Sequence, residues 1–176
     1  GKLWMLQTRT GKRTGFAAIK CAVDMVNEKL ITEKEAVLRV QADQLNEILR
    51  PIFDRKDKEK AKVEGRVVAR GLNAGPGAAC GQVYFSATDV VEAVEKRKET
   101  AILVRIETTP EDIKGMIAAD GILTALGGAT SHAAVVARQL GTVCVAGCGK
   151  LHIEYDKQLM TIGTHVVKKG DFLSID

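Results

Sequence analysis

The chain has 176 residues, 45% apolar and 27% charged, with a net charge of +4. That is enough for one soluble domain with an appendage. Only 4% of residues are aromatic, with a single Trp, which argues against a base-stacking nucleic-acid surface; no apolar run approaches a membrane span and no signal peptide is visible.

Leu3 to Leu6 reads as a strand running into the polar turn Gln7-Thr8-Arg9. With no Met at position 1 and a strand so close to the start, the chain reads as a fragment of a longer protein. Ile19, Ala22, Val23, Val26 and Leu30 form a helical stripe within residues 16–30. Thr32-Glu33-Lys34-Glu35 is a capping box that opens a second helix to about Val40, and Asp43 to Leu49 forms a third, closed by Pro51. The sign-alternating run Arg55 to Lys62 reads as a solvated linker or helix face, and Gly65 ends it. These features predict a helical segment over 1–60 and a second domain over 61–176.

From Arg66 the texture changes. Val67–Ala69, Gln82–Phe85, Ala101–Val104, Gly121–Ala125 and Val143–Ala146 are short strand candidates, as are Met160–Ile162, His165–Val167 and Phe172–Ile175. Asn73-Ala74-Gly75-Pro76-Gly77 reads as a tight turn, since it lacks the lysine of a phosphate loop. Thr88 is placed to cap a helix ending near Arg97. Thr109 is placed to cap another, with Pro110 at its first position and Glu111 and Asp112 in its first turn. The mixture predicts a layered α/β domain. Arg105 and Glu107 suggest an internal ion pair or loop brace, with Arg105 able to approach His132 if the two strand ends are neighbours. His152 and His165 have no motif around them. The scattered Cys21, Cys80, Cys144 and Cys148 read as small buried hydrophobes; Cys144, Cys148 and His152 match no usual zinc spacing, so no metal site is predicted. Free thiols point to a reducing compartment, the cytoplasm or, in a eukaryote, a plastid or other organelle.

The chemistry concentrates in residues 124–138. A strand ends near Ala125, Gly127-Gly128 allows a sharp turn, and a small-residue helix follows from Ala133 to Leu140, ended by Gly141. Thr130 or Ser131 is a natural N-cap, which puts His132 in the first turn. Free N–H groups and the positive end of the helix dipole gather there, favouring an anion and disfavouring an imidazolium. A neutral imidazole beside an anion cradle suits a phosphate-accepting histidine; the plain alternative is a helix-start histidine in a structural domain. Arg138 lies six residues on and is given a structural role.

Gly-Gly-Ala-Thr-Ser-His-Ala-Ala-Val-Val-Ala-Arg, residues 127–138, resembles the phosphohistidine signature of the phosphoenolpyruvate-utilising enzymes, and within them the pyruvate, phosphate dikinases. The segments 6–14, 71–79 and 103–113 resemble further parts of that family in the same order. Ala129 departs from it, standing where those proteins usually have Met. The resemblance implies a β/β/α swivelling phosphohistidine domain with an N-terminal helical segment. It implies that His132 carries phosphate on Nε2 from a nucleotide-derived donor to pyruvate, giving phosphoenolpyruvate reversibly. Gln7 and Arg9 would then face nucleotide phosphates in an incomplete site. ATP/AMP, phosphate/pyrophosphate, pyruvate/phosphoenolpyruvate and Mg²⁺ would be bound by neighbouring domains of a homodimeric parent, with hinges near residues 50–65 and the C-terminus. The fragment alone would be inactive. Phosphoenolpyruvate synthase and the first enzyme of the sugar phosphotransferase system share the Gly-Gly-x-Thr-x-His core and are the alternatives within the class. Resemblance to regulated dikinases implies a second kind of role, in which a kinase/phosphatase protein modifies Thr130.

Overall fold

The computed structural model describes residues 1–8, 13 and 15–176. The chain divides into two compact units, Gly1–Arg50 and Pro51–Asp176.

In the first unit α1 (Gly15–Asn27) packs against α2 (Glu33–Arg39) and α3 (Ala42–Ile48). The Thr32 capping box is formed: Thr32 Oγ1 accepts from Glu35 N, and the Glu35 carboxylate accepts from Thr32 N at 2.8 Å. The Thr32 N–H and the Thr32 hydroxyl, both donating to Glu35 Oε2, hold the Glu35 carboxyl below its usual value. Leu3, Trp4, Met5 and Leu6 are exposed and form no strand. A strand needs a partner ladder, and this unit contains none among its described residues.

The second unit begins with α4 (Arg55–Val63), capped by the Asp54 carboxylate. The charged run is therefore a helix, with no residue buried and ion pairs such as Lys62–Glu59 along it. Nine strands follow: β1 (Leu72–Gly75), β2 (Ala79–Tyr84), β3 (Ala101–Arg105), β4 (Gly121–Thr124), β5 (Val143–Ala146), β6 (Leu151–Glu154), β7 (Leu159–Ile162), β8 (His165–Lys168) and β9 (Phe172–Ile175). Six make one sheet in the order β1-β5-β4-β3-β2-β9, with β2 to β5 parallel and antiparallel strands at both edges. Strands β6, β7 and β8 form a smaller antiparallel sheet.

The connections between parallel strands carry α5 (Ala87–Arg97), a 3₁₀ turn (Pro110–Asp112) leading into α6 (Ile113–Ala118), and α7 (His132–Leu140). Alternate residues of β3 explain the layering. Ala101 and Leu103 join Val90, Met116 and Ala134 on the helix side, while Ile102 and Val104 join Leu151, Met160 and Ile162 on the small-sheet side. Both faces of β3 are buried, as its unbroken apolar run demands. The result is a β/β/α sandwich, the predicted architecture.

Several local expectations are corrected. Residues 67–69 are not a strand. The edge strand begins at Leu72 instead, and the stretch read as a turn pairs with β5 through a bulge between Asn73 and Gly75. Helix α5 is capped by Ser86 rather than Thr88, with Asp89 N donating to Ser86 Oγ at 3.1 Å. Strand β6 was not anticipated. Cys21 and Cys80 are exposed, whereas Cys144 and Cys148 are buried.

Candidate functional site

Helix α7 begins at His132, one residue before the Ala133 start read from the sequence. Ser131 is the N-cap, its hydroxyl accepting from Ala134 N at 3.4 Å, and Gly141 ends the helix in the left-handed region at φ 72°. Thr130 is not the cap; it is exposed in the preceding turn. Ala133, Ala134 and Ala137 are buried, and their small side chains let α7 lie close on β1 and β5. Ser131 engages Ala134 N, so the N–H groups of His132 and Ala133 remain at the positive end of the dipole.

The turn before α7 is fixed by backbone contact. Gly127 has φ +108°, and Gly147 has φ +65° with its missing Cβ position 2.3 Å from Gly127 O. A side chain at Gly147 would push into the carbonyl of the histidine loop. Cys148 N donates to Thr124 O at 2.9 Å, and the buried Thr124 hydroxyl donates to Leu126 O at 2.7 Å. Arg138 Nη2 reaches back to Ala129 O at 2.6 Å, closing the loop onto its own helix. That contact gives Arg138 the structural role expected of it. Gly128, by contrast, has nothing within 4 Å of where a Cβ would stand and leaves one side of the turn open.

The parallel pair β3 and β4 continues past its strand ends. Ala125 N donates to Arg105 O at 3.0 Å and Leu126 N to Ile106 O at 2.8 Å. The loop after β3 is thereby carried alongside the loop after β4. This brings Thr108 to His132, with Thr108 Oγ1 3.0 Å from Nδ1 of the ring. Thr108 is buried, 3% exposed, whereas His132 is half-buried.

Arg105 does not reach toward His132. Its Nε lies 3.2 Å from Asp112 Oδ2, its Nη1 donates to Phe85 O at 3.0 Å, and its guanidinium sits 5.0 Å from the centroid of the Tyr155 ring. Arg105 is the loop brace, paired with Asp112. Asp112 Oδ2 also accepts from Thr109 N at 2.9 Å, and Tyr155 Oη accepts from Ile106 N at 2.9 Å. Each bond secures the loop that presents Thr108.

Gln7 is exposed and belongs to no helix or strand, and Arg9 lies outside the described residues. His152 and His165 sit exposed on β6 and β8. Among the described residues no group of three or more His, Cys, Asp or Glu could hold a metal ion, and no helix is long and apolar enough to cross a membrane. Burial pushes the Cys144 thiol up to about 11 and raises that of Cys148 as well. Sequence reasoning missed Thr108 and Tyr155. Asp112 was visible only as a first-turn acid, by its position three residues after Thr109.

Residues 97–176 match the family described as PEP-utilising enzyme, mobile domain. Over 176 residues the chain is 51% identical to the pyruvate, phosphate dikinase of Clostridium symbiosum, covering 100% of this chain and 20% of that protein. It is 53% identical over 175 residues to the chloroplastic pyruvate, phosphate dikinase of Flaveria pringlei, covering 99% of this chain and 18% of that one. The pyruvate, phosphate dikinase of Rhizobium meliloti (strain 1021) is 48% identical over 176 residues, 100% of this chain and 19% of that protein. The chain thus spans about a fifth of the length of these curated relatives.

Proposed function

We propose that residues 97–176, which belong to the mobile-domain family of the PEP-utilising enzymes, carry phosphate on His132 within a pyruvate, phosphate dikinase. The observation that carries this reading is the placement of the ring. It sits in the first turn of α7, with Nδ1 engaged by Thr108, which leaves Nε2 for the reaction.

In this reading Nε2 accepts a phosphoryl group from a nucleotide-derived donor in a neighbouring domain. It then passes the group to pyruvate in another, giving phosphoenolpyruvate, and each step is reversible. A covalent phosphohistidine divides one difficult displacement into two. The anionic oxygens of the group meet the first-turn N–H groups of α7 and the positive end of its dipole. The rest of the catalysis is positioning and charge neutralisation supplied by the partner domains. Visiting two sites requires a hinge. The division at Arg50–Pro51 lies within the stretch 50–65 suggested by the sequence.

ATP/AMP, phosphate/pyrophosphate and Mg²⁺ are assigned to the neighbouring domains of the parent. Gln7 and Arg9 are proposed as the edge of the nucleotide-phosphate site. The parent is proposed to be a homodimer of the cytoplasm or, in a plant, of the chloroplast.

A second role concerns Thr130. Its exposure two residues before His132 supports its modification by a regulatory kinase/phosphatase protein. Phosphate there would place negative charge beside the cradle and repel an incoming phosphoryl group.

The test uses the full-length parent. His132→Asn is expected to abolish phosphoryl exchange between pyruvate and phosphoenolpyruvate as well as the nucleotide half-reaction. Persistence of both exchanges would refute the carrier role. Formation of pyrophosphate with phosphate as co-substrate separates a dikinase from a synthase, and residues 1–176 alone are expected to show no turnover.

A further inference from the structure

We propose that Thr108 is the positioning residue of the transfer: its hydroxyl holds His132 as the Nδ1–H tautomer, so that the reactive lone pair stands on Nε2. This rests on the carrier reading above. Thr108 Oγ1 lies 3.0 Å from Nδ1, and Thr108 is 3% exposed, so bulk water does not compete for the contact.

The segment bearing Thr108 is tied down on both sides. Before it, Ile106 N donates to Tyr155 Oη at 2.9 Å. After it, Thr109 N and Oγ1 both bind Asp112 Oδ2, at 2.9 and 3.3 Å, and Asp112 is held by Arg105, which in turn donates to Phe85 O at 3.0 Å. The ring therefore conforms to the hydroxyl rather than the reverse. A hydroxyl can donate to Nδ1 or accept from it; attack by Nε2 requires the second arrangement, with the proton on Nδ1 given to Thr108 Oγ1 and the lone pair on Nε2.

The step balances without any further reagent. The Nε2 lone pair forms the N–P bond while the P–O bond to the leaving group breaks, its electron pair departing with that oxygen. Nδ1 keeps its proton, donated to Thr108 Oγ1, so the phosphorylated ring is cationic and a good donor. When the acceptor oxygen takes the phosphoryl group, the N–P electrons return to Nε2 and the ring is restored.

The test uses the 176-residue chain with ¹⁵N-labelled histidine, His132 being assigned by comparison with His132→Asn. Phosphoramidate serves as a small phosphoryl donor. At about pH 8.5, where ordinary imidazoles are neutral, the wild type and Thr108→Ser are expected to show the Nδ1–H pattern and a single Nε2-phosphorylated product. Thr108→Val keeps the shape without the hydroxyl; it is expected to lose the tautomer preference, give both ring isomers and label Nε2 up to about tenfold more slowly, the worth of one hydrogen bond. An unchanged tautomer and product in Thr108→Val would overturn the proposal. So would a wild-type spectrum of the Nε2–H form, which requires no variant to fold. Failure of the carrier reading shows separately, as exchange surviving in the His132→Asn parent.

Discussion

Replacing Gly147 by Ala should damage the fold and the histidine loop together. Gly147 lies at φ +65°, where an L residue costs roughly 1–2 kcal/mol. The new Cβ would stand 2.3 Å from Gly127 O, against an ordinary carbon–oxygen contact of about 3.3 Å. Something must therefore move by about 1 Å, and crowding of that kind costs about 1–3 kcal/mol more. A total near 3 kcal/mol corresponds to about a hundredfold loss of amide-exchange protection. The amides of Ile102, Leu103 and Val104 report this for the second unit alone, because these three residues of β3 are fully buried. Gly128→Ala is the control, since nothing lies within 4 Å of a Cβ there; a change within about 0.5 kcal/mol is expected. Because the displaced atom belongs to Gly127, Gly147→Ala should also slow phosphorylation of His132 while Gly128→Ala leaves the stability of the unit intact. If the two variants show the same exchange protection, the close approach of residues 127 and 147 is wrong.

Four further outcomes follow from the same geometry. Asp112→Ala removes the carboxylate shared by Arg105 and Thr109, and should destabilise the second unit by about 3 kcal/mol in denaturant titration; a loss below about 0.5 kcal/mol would show that the brace is idle. Thr130→Glu adds charge at an exposed position, so stability should hold within about 0.5 kcal/mol while phosphoryl uptake by His132 falls roughly tenfold or more; equal uptake would remove Thr130 as a switch. Alkylation at mildly basic pH should modify Cys21 and Cys80 but spare Cys144 and Cys148, as read by mass spectrometry. The Cys144 thiol is raised from 9.0 to about 11, so its contribution to stability is present below the unfolded value and is lost as pH climbs through the folded one. Cys144→Ala should flatten the decline of stability over that alkaline window.

The parts of the fold set by local chemistry were legible in the sequence. Thr32 and Glu35 form their reciprocal cap, and Gly141 terminates α7 as its position suggests. The run Ala101 to Val104 is apolar at every position because both faces of β3 are covered, which periodicity alone cannot orient. Edge elements were misread because their pairing depends on distant partners. Residues 72–75 look like a turn but join β5, and Leu3 to Leu6 has strand composition without a ladder to join.

The same division runs through the site. His132 was found because its helix start, its glycines and its cap are contiguous. Thr108 was not, because it lies 24 residues earlier and meets the ring only where β3 and β4 stay paired beyond their ends. The role of Arg105 turned on Asp112, seven residues further on, rather than on the neighbouring Glu107.

In the proposed transfer His132 carries the phosphoryl group. The most direct test incubates the full-length parent with phosphoenolpyruvate labelled in its phosphate and locates the label by peptide mapping under alkaline conditions. An acid-labile label on Nε2 of His132 is expected, absent from His132→Asn. An acid-stable label, or an undiminished label in His132→Asn, would contradict it.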